Sequence, residues 1–148
     1  MACAMRSIPG TFSIVSTLST LSTLSLLLAS FSGAAAAYWT PVGRGNYIYA
    51  AFADKASIRA HGANVSMSGL YDFRKRDYTP EGKGLYSTVV LREYDCKGRQ
   101  VRLLSAIDFS RHMGVGEPVS TSADPGRWET IVAGALDEAY WKIACAGK

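Results

Sequence analysis

Between Val65 and Phe73 the chain alternates apolar and polar residues. Val65, Met67, Tyr71 and Phe73 fall on one side; Ser66, Ser68 and Asp72 fall on the other, with Leu70 breaking the rule. A period of two is the mark of a half-buried antiparallel strand, because successive side chains leave opposite faces of the pleat. The same logic predicts a hairpin over Leu85–Ser110, with Lys97-Gly98 as its tight turn. In its second arm Val101, Leu103, Ile107 and Phe109 are expected to share a face, opposite Arg102 and Asp108. Arms this long predict the centre of a sheet. Tyr38–Val42 reads as a short edge strand held there by Pro41. Tyr47–Ala53 (YIYAAFA) and Glu117–Ser122 read as further strands.

Two segments read differently. Asp54–Arg59 is expected to form a short helical turn capped by Asp54. Arg74–Gly84 (RKRDYTPEGKG) is charge-rich and broken by Pro80, Gly82 and Gly84, so it is expected to be a polar loop. Helical spacing appears once, over Gly134–Ala144. Leu136, Tyr140, Ile143 and Ala144 line one face, while Asp137, Glu138 and Lys142 face out with the polarity that suits a helix dipole. The predicted fold is α+β: an antiparallel sheet of about five to six strands with one C-terminal helix packed on it.

The first 37 residues carry a different pattern. Arg6 is followed by a long uncharged Ser/Thr/Leu run and then by Gly33 and four alanines. That is the layout of a cleaved signal peptide, with the mature domain at residues 38–148. A membrane anchor would need a more apolar run and a basic stop signal, so no transmembrane segment is expected after cleavage. Cys3 precedes the run and the next cysteine is Cys96, which predicts no lipid anchor. Removing the leader removes Arg6 alone, so the net charge falls from +4 to +3. This mild positive charge suits contact with acidic surfaces and does not suit nucleic-acid binding.

Export places Cys96 and Cys145 in an oxidising space, where two cysteines allow one connectivity. A structural disulfide is therefore expected to staple the helix to the sheet. A catalytic or metal-binding thiol is the competing reading, but the chain has no CxxC and no histidine near either cysteine.

Little other chemistry is legible. Asp108, Ser110 and His112 could be imagined as a triad, but their spacing along a strand end is not a recurring triad geometry. Asp108, His112 and Glu117 could line a small enzyme site or ligand pocket if the fold made them converge. Gly114-Val115-Gly116 lacks the Lys-Ser/Thr ending of a phosphate loop. No cofactor is expected. The strongest binding candidates are Arg74, Lys75, Arg76, Tyr78 and Lys83, as a patch for an anionic partner. Trp141 joins them because it lies off the apolar helix face and is expected to be exposed, where it could serve a partner or a homodimer.

The mature chain also resembles the surface-adhesin protein E family of exported bacterial proteins. The likeness rests on Trp39 after the leader, Asp54 with Ser57-Ile58, the strand from Val65, Tyr94-Asp95-Cys96, Arg102-Leu103-Leu104-Ser105, Met113-Gly114-Val115-Gly116-Glu117, and Trp128 ahead of a helix ending in Cys145. The resemblance implies a small antiparallel sheet with a C-terminal helix held by a Cys–Cys bridge. For the founding members it also implies adhesion to host matrix and serum proteins, self-association and a lipid anchor. It supplies no catalytic residues. At the helix start Ala133-Gly134-Ala135 stands where the pattern favours a Pro-Gly-Ser-like cap, so the first turn is expected to fray. The leading expectation is an exported, non-enzymatic, adhesin-like module at the periplasm or cell surface, engaging extracellular or envelope proteins or anionic surface polymers. A small periplasmic enzyme or ligand carrier and a structural envelope protein without a discrete ligand stand as alternatives.

Overall fold

Apolar positions on both faces of the central strands mean that this sheet has two surfaces to cover, and it covers each with a different element. The computed structural model describes residues 38–148 apart from Arg44. The leader therefore lies outside the described residues. The strands are β1 (Trp39–Pro41), β2 (Tyr49–His61), β3 (Asn64–Tyr78), β4 (Gly84–Asp95), β5 (Gln100–Phe109), β6 (Pro118–Ser122) and β7 (Glu129–Thr130). A single turn of 3-10 helix follows β5 at His112–Gly114, and α1 spans Leu136–Ala144. The sheet is antiparallel throughout, in the order β1-β2-β3-β4-β5-β6, with β7 added to the far end of β5. Among the described residues no helix is long and apolar enough to cross a membrane.

One face carries α1. Tyr140 and Ala144 are buried against Ala51, Ala53, Val65, Met67, Tyr94 and Val101. Gly69, in the middle of β3, is what admits the helix: a Cβ there would lie 3.0 Å from Tyr140 Cε1. A glycine inside a central strand marks such a close approach. The Tyr140 hydroxyl donates to the Phe52 carbonyl at 3.0 Å, so the buried phenol keeps a partner. Burial raises the Tyr140 and Tyr94 phenols well above the usual range, and both stay neutral. Beside them Arg92 packs over Tyr71 and Tyr140 and donates to Asp137 Oδ1 at 2.8 Å.

Leu70 points the other way, and this explains its break in the alternation. It is fully buried on the opposite face, where Gly114 approaches Val89 and Leu70. Gly114 has a φ of +71°, so glycine is required for both conformation and space. Ser87 Oγ donates to the Arg111 carbonyl at 2.6 Å and accepts from Gly114 N at 2.9 Å, while Asp72 Oδ1 accepts from Met113 N at 2.7 Å. The glycine-rich loop is thus a lid on a second, smaller core.

Three expectations are corrected. Asp54–Arg59 is not a helical turn; it is a bulge inside β2, where the register with β3 shifts. Asp54 does act as the local cap, accepting from Ala56 N at 2.9 Å. Ser57 Oγ accepts from Ser68 N at 2.8 Å, replacing the missing ladder bond, so the chain gains more by staying in the sheet. Val101 and Leu103 do not share a face with Ile107 and Phe109. The register shift after Leu91 pairs Val101 with Tyr94 and Leu103 with Arg92, on the helix side, and Ile107 with Val89 on the other. A one-residue shift turns every later side chain over. The polar segment from Arg74 is also not a loop until Thr79, because β3 continues through Tyr78.

The helix start holds without a side-chain cap on Ala135. Glu138, three residues on, reaches back past the cap and accepts from Gly134 N at 2.9 Å, a variant of the capping-box return bond displaced by one residue. Its carboxyl is held at about 2 by that bond first, and then by Arg99 and Lys142. Cys96 and Cys145 form the disulfide, with Cα atoms 5.7 Å apart.

Candidate functional site

The cationic segment sits at one end of the sheet, built by three pieces of chain. Asn46 begins it. Its Oδ1 accepts from both Ile48 N and Tyr49 N at 2.8 Å, a side-chain turn that launches β2. Arg74 N then donates to the Ile48 carbonyl at 2.9 Å, and Arg74 Nε to the Asn46 carbonyl at 2.7 Å. This clasp brings Tyr47 and Ile48 against Phe73, Lys75 and Arg76, around an open groove of about 330 Å³. Tyr47 is 87% exposed and Tyr78 59%. Beyond the groove the β3–β4 turn closes with Thr79 N donating to the Lys83 carbonyl at 2.9 Å.

The arrangement of charge is uneven. From Arg74 to Lys83 there are four cations and two carboxylates, Asp77 and Glu81. Glu81 is turned into its own hairpin: hydrogen bonds from the Thr79 hydroxyl and from its own amide hold its carboxyl below the usual range. Asp77 Oδ1 accepts from Tyr78 N at 2.9 Å. Elsewhere three arginines are paired with carboxylates: Arg92 with Asp137, Arg99 with Glu138, Arg102 with Glu93. Among the described residues no carboxylate lies in ion-pair contact with Arg74, Lys75 or Arg76. Arg76 lies over Gly84 and 5.5 Å from the centre of the Tyr78 ring. Lys83 turns away to the Val119 carbonyl at 3.3 Å. The tip can therefore attract an anion and offer it aromatic and aliphatic surface.

The sequence brought Arg74, Lys75, Arg76 and Tyr78 to this place. It did not bring Tyr47, Ile48 and Phe73, which join only through strand pairing. The signal that could have found them is the Gly45-Asn46 turn followed directly by exposed aromatics.

Trp141 is at the other end of the sheet. It is half-buried: its Nε1 donates to the Asp95 carbonyl at 3.3 Å, and the Arg99 guanidinium lies 4.8 Å from the ring centre. The expected exposure is wrong because the disulfide draws this turn of α1 onto the β4–β5 hairpin. Asp108, His112 and Glu117 do not converge either. Asp108 accepts from the Thr88 hydroxyl at 2.6 Å on the helix side of the sheet. His112 lies on the opposite face, 3.2 Å from Asp72 and with its ring tilted against that of Tyr86. Glu117 is held by its backbone amide, which donates to Ser110 Oγ at 2.9 Å. Strand alternation separates what sequence proximity suggested.

The family model for surface-adhesin protein E matches residues 39–146. No curated protein matches the chain. Among solved structures, crystal form II of Haemophilus influenzae protein E superposes with a TM-score of 0.61 at 14% identity, covering 73% of this chain and 87% of that one. Another structure of Haemophilus influenzae protein E gives 0.60 at 14%, covering 73% and 83%. Protein E from non-typeable Haemophilus influenzae gives 0.56 at 16%, covering 72% and 75%. At these identities the likeness is one of fold.

Proposed function

Because this chain belongs to the surface-adhesin protein E family, we propose that it works outside the cytosol as a non-enzymatic, adhesin-like binding module that recognises an anionic partner through the tip around Lys75. The family supports adhesion as the class of activity. The Cys96–Cys145 bridge supports an oxidising compartment, since such bonds persist outside the cytosol.

One observation carries the choice of surface. Among the described residues Arg74, Lys75 and Arg76 have no carboxylate in ion-pair contact and sit together beside an exposed aromatic groove, whereas Arg92, Arg99 and Arg102 are each paired across the sheet or helix. Unpaired charge on a rim raises the encounter rate with an opposite charge, and exposed aromatic area supplies contact energy after encounter.

The test is direct. Extracellular matrix and envelope fractions are passed over the immobilised domain at low and physiological salt, with wild type beside the Arg74→Ala, Lys75→Ala, Arg76→Ala triple variant. Wild-type retention falls as salt rises, and the triple variant retains less and responds less to salt. Equal retention by both proteins at both salts overturns this assignment of the surface.

A further inference from the structure

The groove lies along a sheet edge that has lost its neighbour. β2 begins at Tyr49, opposite Phe73, and Arg74 N still reaches the Ile48 carbonyl. From Lys75 to Tyr78, β3 has, among the described residues, no strand on its outer side; on the inner side Asp77 and Tyr78 pair with Leu85 and Gly84 of β4, after a register shift that spans Lys75 and Arg76. Antiparallel ladders alternate bonded and non-bonded pairs. Thr79 N bonds the Lys83 carbonyl across the hairpin, so Asp77 bonds toward β4, and Arg76 and Tyr78 turn their N–H and C=O groups outward. Arg74 N pointing at Ile48 agrees with this alternation. The Tyr78 N–H is already met by the Asp77 carboxylate, which stands where an incoming acceptor would sit.

An unpaired edge is a template for an added strand, and flanking side-chain pockets select what is added. Successive strand side chains leave opposite faces, so Lys75 shares a face with Phe73 and Asp77, and Arg76 shares the other with Tyr78; Tyr47 and Ile48 complete the groove. A second copy of this chain would bring the same cations against each other, so self-pairing is opposed. An acidic partner is favoured by the same charges. We infer that this edge of β3 takes up an extended acidic peptide segment of a partner protein as a further strand, with alternate carboxylates on the face of Arg76 and alternate apolar side chains on the groove face beside Phe73 and the stem of Lys75. This deepens the function proposed above and rests on it, since it names the chemistry of the anionic partner at the same tip.

The probe is a synthetic octapeptide alternating glutamate with valine and tyrosine, measured by fluorescence anisotropy against wild-type protein. A matched peptide carries N-methyl groups on alternate amides, which removes strand-forming donors and keeps the charge. Parallel arms use heparin oligosaccharides and phosphatidylglycerol vesicles. The expected result is saturable binding of the octapeptide, weakened at least tenfold by N-methylation, with slowed amide exchange at Arg76 on binding. Asp77→Ala, which frees the Tyr78 N–H and removes a negative charge, tightens it. Equal binding of the two peptides overturns strand addition, while the anion-binding tip survives if the Arg74, Lys75, Arg76 triple alanine variant still loses affinity. Binding of heparin or vesicles with none of the octapeptide overturns the peptide assignment in favour of a polymer or lipid. If none of the three probes binds, both the strand and the anionic function fall.

Discussion

Removing the disulfide separates what holds this protein together from what it presents. Cys96 follows β4 and Cys145 follows α1, 49 residues later. In the chain-entropy model, cross-linking a loop of that length withdraws freedom from the unfolded chain worth about 4 kcal/mol. The other attachments of α1 are few: buried Tyr140 and Ala144, the Tyr140 hydroxyl on Phe52, and the ion pairs of Arg92 and Arg99. Nine residues are too few to hold a helix without such packing. The Cys96→Ala, Cys145→Ala double variant should therefore lose about 4 kcal/mol, a Tm fall of roughly 15 °C in a domain this size. The tip should not notice. β4 runs from Gly84, beside Arg76, to Asp95, next to Cys96, so twelve strand residues separate the two ends. At ~3.4 Å per residue that is roughly 40 Å. Urea unfolding followed by tryptophan fluorescence and by circular dichroism checks the first half; anisotropy with the acidic octapeptide at 25 °C checks the second. Wild type with reductant should unfold where the variant does. A variant within ~1 kcal/mol of wild type would show that the helix is held by packing alone. A large loss of peptide affinity in the folded variant would refute the independence of the two ends.

Further outcomes follow from the packing and the charges. Gly69→Ala sets a methyl 3.0 Å from Tyr140 and should cost about 1–3 kcal/mol in urea unfolding, with Tyr140→Leu relieving part of that cost in the double variant. The Glu138 carboxyl titrates at about 2 when folded against 4.5 when unfolded. Its contribution is present above 4.5 and lost as the pH falls toward 2, so Glu138→Gln should lower Tm at pH 7 and converge with wild type near pH 2. Glu93 adds to the same acid limb. Burial pushes its carboxyl up, but hydrogen bonds from Arg102 and Asn64 outweigh this and hold it below the usual range, so Glu93→Gln should also flatten the decline of stability below pH 4.5.

How far the sequence could be read depended on which residues decide each feature. The alternation at Val65–Phe73 and the spacing from Leu136 to Ala144 are local, so they announced a strand and a helix without any partner. Two cysteines beyond the expected leader left one pairing. Asp54–Arg59 and Arg74–Tyr78 failed the same reading for one reason: each carries polar, turn-like residues yet is recruited into a strand by neighbours on both sides or on one. Local preference of a few tenths of a kcal/mol per residue yields to a ladder of backbone bonds that only the assembled sheet supplies. The misplacement of Ile107 and Phe109 came from a single register shift, which no window of sequence contains. The sequence by itself determined the fold class, the bridge and the cations of the tip. The tertiary structure decided that Trp141 is spent on the clamp, that Asp108 and His112 lie on opposite faces, and that Tyr47 and Ile48 meet Lys75 beside an open edge, because each of these depends on which strands become neighbours and in what register.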